Sequence, residues 1–152
     1  MHVVLVEPEI PPNTGNIARL CAATNTPLHL VEPLGFRLTD SRLRRAGLDY
    51  WHAVTVVRHP SLRTFLEGKT RETLFFLSKH GAEPYWNAPF GTESHLVFGS
   101  ETRGLPDWVF EEYPDRIWTI PMENSAVRSL NLSNAVAVVL YEALRQLHGK
   151  RL

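Results

Sequence analysis

Residues 1–32 read MHVVLVEPEIPPNTGNIARLCAATNTPLHLVE, and this stretch decides the fold. Residues 3–7, VVLVE, are a continuous β-branched apolar run, the pattern of a strand buried on both faces. Residues 15–25, GNIARLCAATN, follow with helical spacing, setting Ile17, Leu20, Cys21 and Thr24 on one side. Residues 28–32, LHLVE, are strand-like again. Two largely apolar strands joined through a helix are expected to lie parallel, because a helical crossover returns the chain in the same direction.

Working outward, the same alternation fills the chain. A short helix is expected over 40–47, a strand over 53–57, a helix over 61–68, and strands over 73–78 and 95–100. A helix over 106–113 opens on Pro106, a strand covers 116–121, and a long helix runs from about Asn131 to Gly149. The fold class is therefore α/β: a mostly parallel sheet with helices on both faces. Such sheets bind ligands beyond the carboxyl ends of their strands, here the loops after residues 7, 78, 100 and 121.

The bulk properties narrow the functions. At 152 residues the chain is long enough for one well-buried core, and we expect a single domain spanning 1–152 without a separate RNA-binding extension. Sixteen basic residues balance sixteen acidic ones, so any nucleic-acid contact has to use a local patch. Cys21 is the only cysteine, which excludes an intrachain disulfide and suits a reducing, cytoplasmic setting. The seven histidines show neither HxH nor HExxH spacing, so no metal is expected. No run approaches the roughly 20 apolar residues of a membrane span.

Four polar stretches interrupt this plan. EPEIPPNTGNIAR (7–19) stiffens the exit from the first strand with three prolines and carries Asn13 and Arg19. Rigid turn and helix cap explain most of it, but a cation early in a helix opposes the dipole and suits an anionic partner. FGSETRGLP (98–106) brackets Glu101 between Gly99 and Gly104, as a solvated loop or as one that lets backbone approach a ligand. VRSLNLSNAVAVVLYEAL (127–144) introduces an apolar helix with Ser129, Asn131, Ser133 and Asn134, more polar groups than one cap needs. FRLTDSRLRRAGLDYW (36–51) clusters Arg37, Arg42, Arg44 and Arg45 before Tyr50 and Trp51, either a solvated helix face or a surface for phosphate and a stacked base.

Taken in order, NTGNIAR, FGSETRGLP and IPMENSAVRSLNLSNAVAVVLYEAL resemble the three motif regions of the SPOUT class of RNA methyltransferases, over nearly the whole chain. The minimal branch is the best match, whose members methylate the 2′-oxygen of the wobble cytidine or uridine in the tRNA anticodon. Ser100 stands where that branch carries proline. The resemblance implies a C-terminal deep trefoil knot holding S-adenosylmethionine, with Leu77, Gly99, Glu101, Ile120, Ser129 and Leu130 at the cofactor. It implies Asn13, Arg19, Glu101, Ser129 and Asn131 as the catalytic set, and a homodimer with substrate between protomers, Tyr141 and the last helix at the interface. Arg42, Arg44 and Arg45 are the expected contacts to the anticodon stem-loop. No metal is required, because the sulfonium methyl is already activated. A guanidinium makes a poor free base, so Arg19 is expected to act through a phosphate or through its charge. Two other readings are the same chemistry on another tRNA or ribosomal RNA ribose, and a non-catalytic RNA-binding module.

Overall fold

The computed structural model describes residues 1–149, the side chains of residues 47 and 48 excepted. The strands are β1 (His2–Val6), β2 (Leu28–Val31), β3 (Val56–His59), β4 (Leu74–Leu77), β5 (Glu83–Pro84), β6 (His95–Phe98) and β7 (Ile117–Thr119). They form one parallel sheet in the order β3-β2-β1-β6-β4-β7-β5. The helices are α1 (Pro11–Thr24), α2 (Ser41–Gly47), α3 (Leu62–Leu66), α4 (Asp107–Glu112) and α5 (Leu132–Gly149).

The apolar runs are continuous because the sheet is covered twice. On one face Val3, Leu5, Leu28, Leu30, Phe75 and Leu96 pack against Ile17, Ala18 and Cys21 of α1 and Val136, Val139 and Leu140 of α5. On the other, Val4, Val6, Val31, Phe76 and Val97 meet Leu62 and Phe65 of α3 and Val109 of α4. Alternate residues of β1 thus point into different cores, as the two-residue period of a strand requires.

Several expected boundaries move. α1 starts at Pro11, not at Gly15. Prolines fit a first turn because their missing N–H would have had no partner there. Arg19 therefore sits in mid-helix, and the expected conflict with the helix dipole does not arise. The strand expected over 53–57 starts three residues later, since residues 48–53 form a 3-10 turn and pairing with β2 sets Val56 opposite Leu28. β5, of two residues, lies in what reads as a loop. Residues 150–152 of the expected domain fall outside the described residues. No described helix is long and apolar enough to cross a membrane.

Candidate active site

β1 and β6 are neighbours, yet the chain leaves β1 toward β2 on one side while β6 and β4 stand on the other. The crevice at that reversal opens between the loops that follow them. It is a cleft of about 680 Å³, walled by the segments after β1, β4, β6 and β7 and by the start of α5. Small-molecule sites commonly span roughly 300–1,000 Å³.

A polar relay ties these loops together. The Glu101 carboxylate accepts the main-chain N–H of Glu9 (2.8 Å) and of Ile10 (3.0 Å), and the Asn13 Nδ2 (3.2 Å). An anion thereby sits at the entrance to α1, where no side chain of its own caps the helix. Asn13, only 6% exposed, accepts the Asn131 Nδ2 on its Oδ1 at 3.0 Å. Asn131 then caps α5, its Oδ1 accepting Ser133 N (2.9 Å), Ser133 Oγ (2.6 Å) and Asn134 N (3.4 Å). Part of the polar surplus at the start of α5 is thus accounted for: Asn131 caps the helix, engages Ser133 and joins α5 to Asn13 and Glu101.

Leu77, Gly99, Glu101, Ile120, Ser129, Leu130, Asn13 and Asn131 all line the cleft, together with Phe98, Leu105 and Leu132. Among the described residues the main-chain groups of Ser129 and Leu130 make no hydrogen bond within the protein. Apolar walls beside free main-chain donors and acceptors fit a nucleoside: the base is buried against the former and its edge is read by the latter. Ser100 is bonded within its loop, where the resemblance led us to expect proline: its N–H donates to Gly104 O (3.3 Å) and its Oγ accepts Arg103 N (3.2 Å). A proline would lack the first of these bonds.

Arg19 is not brought to this cleft. It is exposed, with its guanidinium 4.9 Å from the centre of the Tyr50 ring. Arg42, Arg44 and Arg45 also lie away from the cleft and are exposed, Arg42 being held by Asp40 at 3.2 Å. The cations that do line the cleft are Lys79, Arg103 and Arg128. Arg103 pairs with Glu7 at 3.1 Å, whereas Lys79 and Arg128 have no ion pair among the described residues. Sequence reasoning passed over these two, although Arg128 lies within the 127–144 stretch it had marked and Lys79 follows directly on the marked strand end at 78.

It also read the histidines as scattered, and the sheet gathers four of them. His2 Nδ1 lies 3.0 Å from His29 Nε2, and His29 Nδ1 lies 2.8 Å from His59 Nε2. His95 stacks on His2 with ring centroids 4.5 Å apart, and Phe65 closes edge-on against the group. Burial, reinforced by neighbouring rings and Lys69, pushes His29 down to about 3 and His95 down to about 4. The signal was available as one histidine on each of four strands, but only strand order places them together.

Comparison with known proteins shows the family. A model of the SpoU rRNA Methylase family matches residues 1–141. The chain is 50% identical over 148 residues to the tRNA (cytidine(34)-2′-O)-methyltransferase of Escherichia coli (strain K12), covering 97% of this chain and 94% of that protein. A solved structure described as giving structural insights into the 2-OH methylation of C/U34 on tRNA superposes with a TM-score of 0.91 at 48% identity, covering 97% of this chain and 96% of that one. The SpoU methyltransferase AviRb from Streptomyces viridochromogenes, in complex with the cofactor AdoMet, has a TM-score of 0.83 at 28% identity, covering 97% of this chain and 58% of that one.

Proposed function

The chain belongs to the SpoU rRNA methylase family, and from that membership we propose its reaction: transfer of a methyl group from S-adenosylmethionine to the ribose 2′-hydroxyl of the wobble nucleotide, cytidine or uridine 34, of tRNA. One observation carries this, the Glu101–Asn13–Asn131 relay that joins all three motif loops around a nucleoside-sized cleft. When bound, S-adenosylmethionine supplies a methyl already activated by its sulfonium. The protein then has to hold a hydroxyl in line with that methyl and exclude water. Leu77, Gly99, Ile120, Ser129 and Leu130 would hold the cofactor. Glu101, fully engaged with α1, positions the loop, while Asn13, Ser129 and Asn131 face the ribose. Lys79 and Arg128 are placed to meet an RNA phosphate.

Arg19 lies outside the cleft of its own chain. We assign it to the site of a second copy in a homodimer, where its charge would favour the developing 2′-oxyanion directly or through a phosphate. Exposed Val138 and Tyr141, one turn apart on α5, with Val127 and Leu130 beside the cleft, support an apolar interface there. Strand order supports the knot: after β5 is laid at the sheet edge, β6 inserts between β1 and β4, and β7 between β4 and β5. Arg44 and Arg45 would hold the anticodon stem-loop. We place the whole chain in one catalytic domain acting in the cytoplasm.

Labelled S-adenosylmethionine incubated with unmodified tRNA tests the reaction. Label on the ribose of nucleotide 34 is expected; label on another ribose would overturn the substrate, and none at all, either here or in tRNA carrying its other anticodon-loop modifications, would overturn the activity. Arg19→Ala is expected to cut turnover about a hundredfold or more, the scale of losing one transition-state charge partner, while S-adenosylmethionine affinity stays unchanged. Arg44→Ala with Arg45→Ala should instead weaken tRNA binding and flatten its salt dependence. Full turnover by the Arg19 variant would remove that residue from the mechanism.

A further inference from the structure

Glu9 carries no role in the reaction as described so far, yet its side chain closes the reverse half of a clasp with Glu101. Glu101, on the loop after β6, reaches across to the entrance of α1 and accepts the N–H of Glu9 at 2.8 Å. Glu9, at that entrance, reaches back: the Thr102 hydroxyl lies 2.8 Å from both of its carboxylate oxygens, and Arg103 Nε lies 3.8 Å away. Glu7, two residues earlier, holds the same arginine at 3.1 Å from a left-handed backbone, φ 50°. The hydroxyls of Thr102 and Ser100 keep the Glu9 carboxyl below the usual carboxylate range, so it stays an acceptor at neutral pH. Behind it the segment cannot retreat. Gly35 N donates to Pro8 O at 2.9 Å, and a Cβ on Gly35 would stand 2.8 Å from Glu9 Cα.

We infer that Glu9 is a positioning residue for the methyl donor, acting through Thr102 and Arg103 to hold the 99–105 loop in its binding conformation. The inference rests on the reading of the cleft as the S-adenosylmethionine site. Two crossed carboxylates fix the loop at Glu101 and again one residue later, leaving its Gly99 end no freedom to swing from the cleft. Without the Glu9 half, exposed Thr102 loses its side-chain partner and Arg103 is left with Glu7 and its main-chain bond to Ser100, so part of the ordering of the 101–103 tip falls to the ligand. Ordering on binding weakens affinity without touching the reacting atoms.

The test is S-adenosylmethionine affinity by calorimetry and steady-state kinetics on the full-length protein. Glu9→Ala is expected to raise Kd and KM for S-adenosylmethionine about tenfold, the scale of one charge-assisted hydrogen bond, with kcat at saturation within about twofold of wild type. Glu9→Gln keeps an acceptor for Thr102 and should recover most of the loss. Thr102→Val removes the hydrogen bond from the exposed side but leaves the Arg103 contact, so it should lose most of what Glu9→Ala loses and should add nothing to it in the double variant. Wild-type affinity in Glu9→Ala, equal losses in kcat and KM, or additive losses in the double variant would each overturn the role. A wild-type protein that binds no S-adenosylmethionine would instead overturn the reading of the cleft, and the inference with it.

Discussion

Gly99→Ala is expected to abolish detectable methyl transfer and to weaken S-adenosylmethionine binding by at least about a hundredfold. A Cβ at this position would stand 2.2 Å from Gly104 C, 2.4 Å from Leu105 N and 2.6 Å from Gly104 O. All three are backbone atoms, so no rotamer change relieves the clash. Nor can the loop simply open. Leu105, 6% exposed, is anchored in the second core, and Ser100 and Gly104 are bridged by hydrogen bonds of 3.0 and 3.3 Å. Overpacking of this kind costs roughly 1–3 kcal/mol or more, and here it falls on the segment that shapes the cleft. Gly104→Ala is the informative contrast. Its φ of +68° strains any side chain, but nothing lies within 4 Å of the added carbon, so a cost of only about 1 kcal/mol is expected. Calorimetric titration of both variants checks the pair; near-wild-type affinity in Gly99→Ala would show that the loop rebuilds.

The second large effect is on stability, in mild acid. His29 and His95, each 8% exposed, are kept neutral by the fold, down to about 3 and about 4, against 6.5 for a free imidazole. Their contribution is therefore fully present above pH 6.5 and is lost as the pH falls below it, because the unfolded chain takes up protons that the folded chain refuses. Each such ring contributes a slope of about 1.4 kcal/mol per pH unit once well below pH 6.5. The pair should thus cost on the order of 4 kcal/mol between pH 6.5 and 4.5, a large share of a domain's roughly 5–15 kcal/mol. His2 and His59 shift the same way; Lys69 and the N-terminal ammonium strengthen the effect on the cluster, and Glu93 opposes it at His2. The hydrogen-bonded carboxylates Glu9, Asp40, Glu112 and Asp115 are themselves held low and lose their contributions only in stronger acid. Thermal unfolding from pH 7.5 to 4.5 should show a steep fall in Tm, flattened in the His29→Gln, His95→Gln double variant. A wild-type Tm independent of pH across that range would mean that the cluster accepts protons freely.

What was legible without the structure follows from local chemistry. Val3–Val6, Leu28–Val31, Leu74–Leu77 and His95–Phe98 announce themselves as buried strands because a residue covered on both faces must be apolar or paired with a partner. Asn13, Gly99, Glu101, Ser129 and Asn131 were marked by the resemblance of their three stretches to the SPOUT motif regions, since turn, loop and cap chemistry also suit these residues, and all five line one cleft. β3 was misplaced because it is half exposed and so carries a weaker apolar signal.

By itself the amino-acid sequence determined the α/β class, the segments that become loops at the carboxyl ends of the strands, and the chemical types gathered there. The tertiary structure decided which of those groups meet. Glu101 reaches Asn13 across 88 residues, Asn131 reaches Asn13 across 118, and His2, His29, His59 and His95 share one sheet face. Arg19, in the same motif as Asn13, is turned to the Tyr50 side of α1 instead. These outcomes depend on the strand order β3-β2-β1-β6-β4-β7-β5. Hydrophobic periodicity reports whether a strand is buried. It carries no information about which strand lies beside it, because every parallel partner offers the same backbone ladder and an equally apolar face.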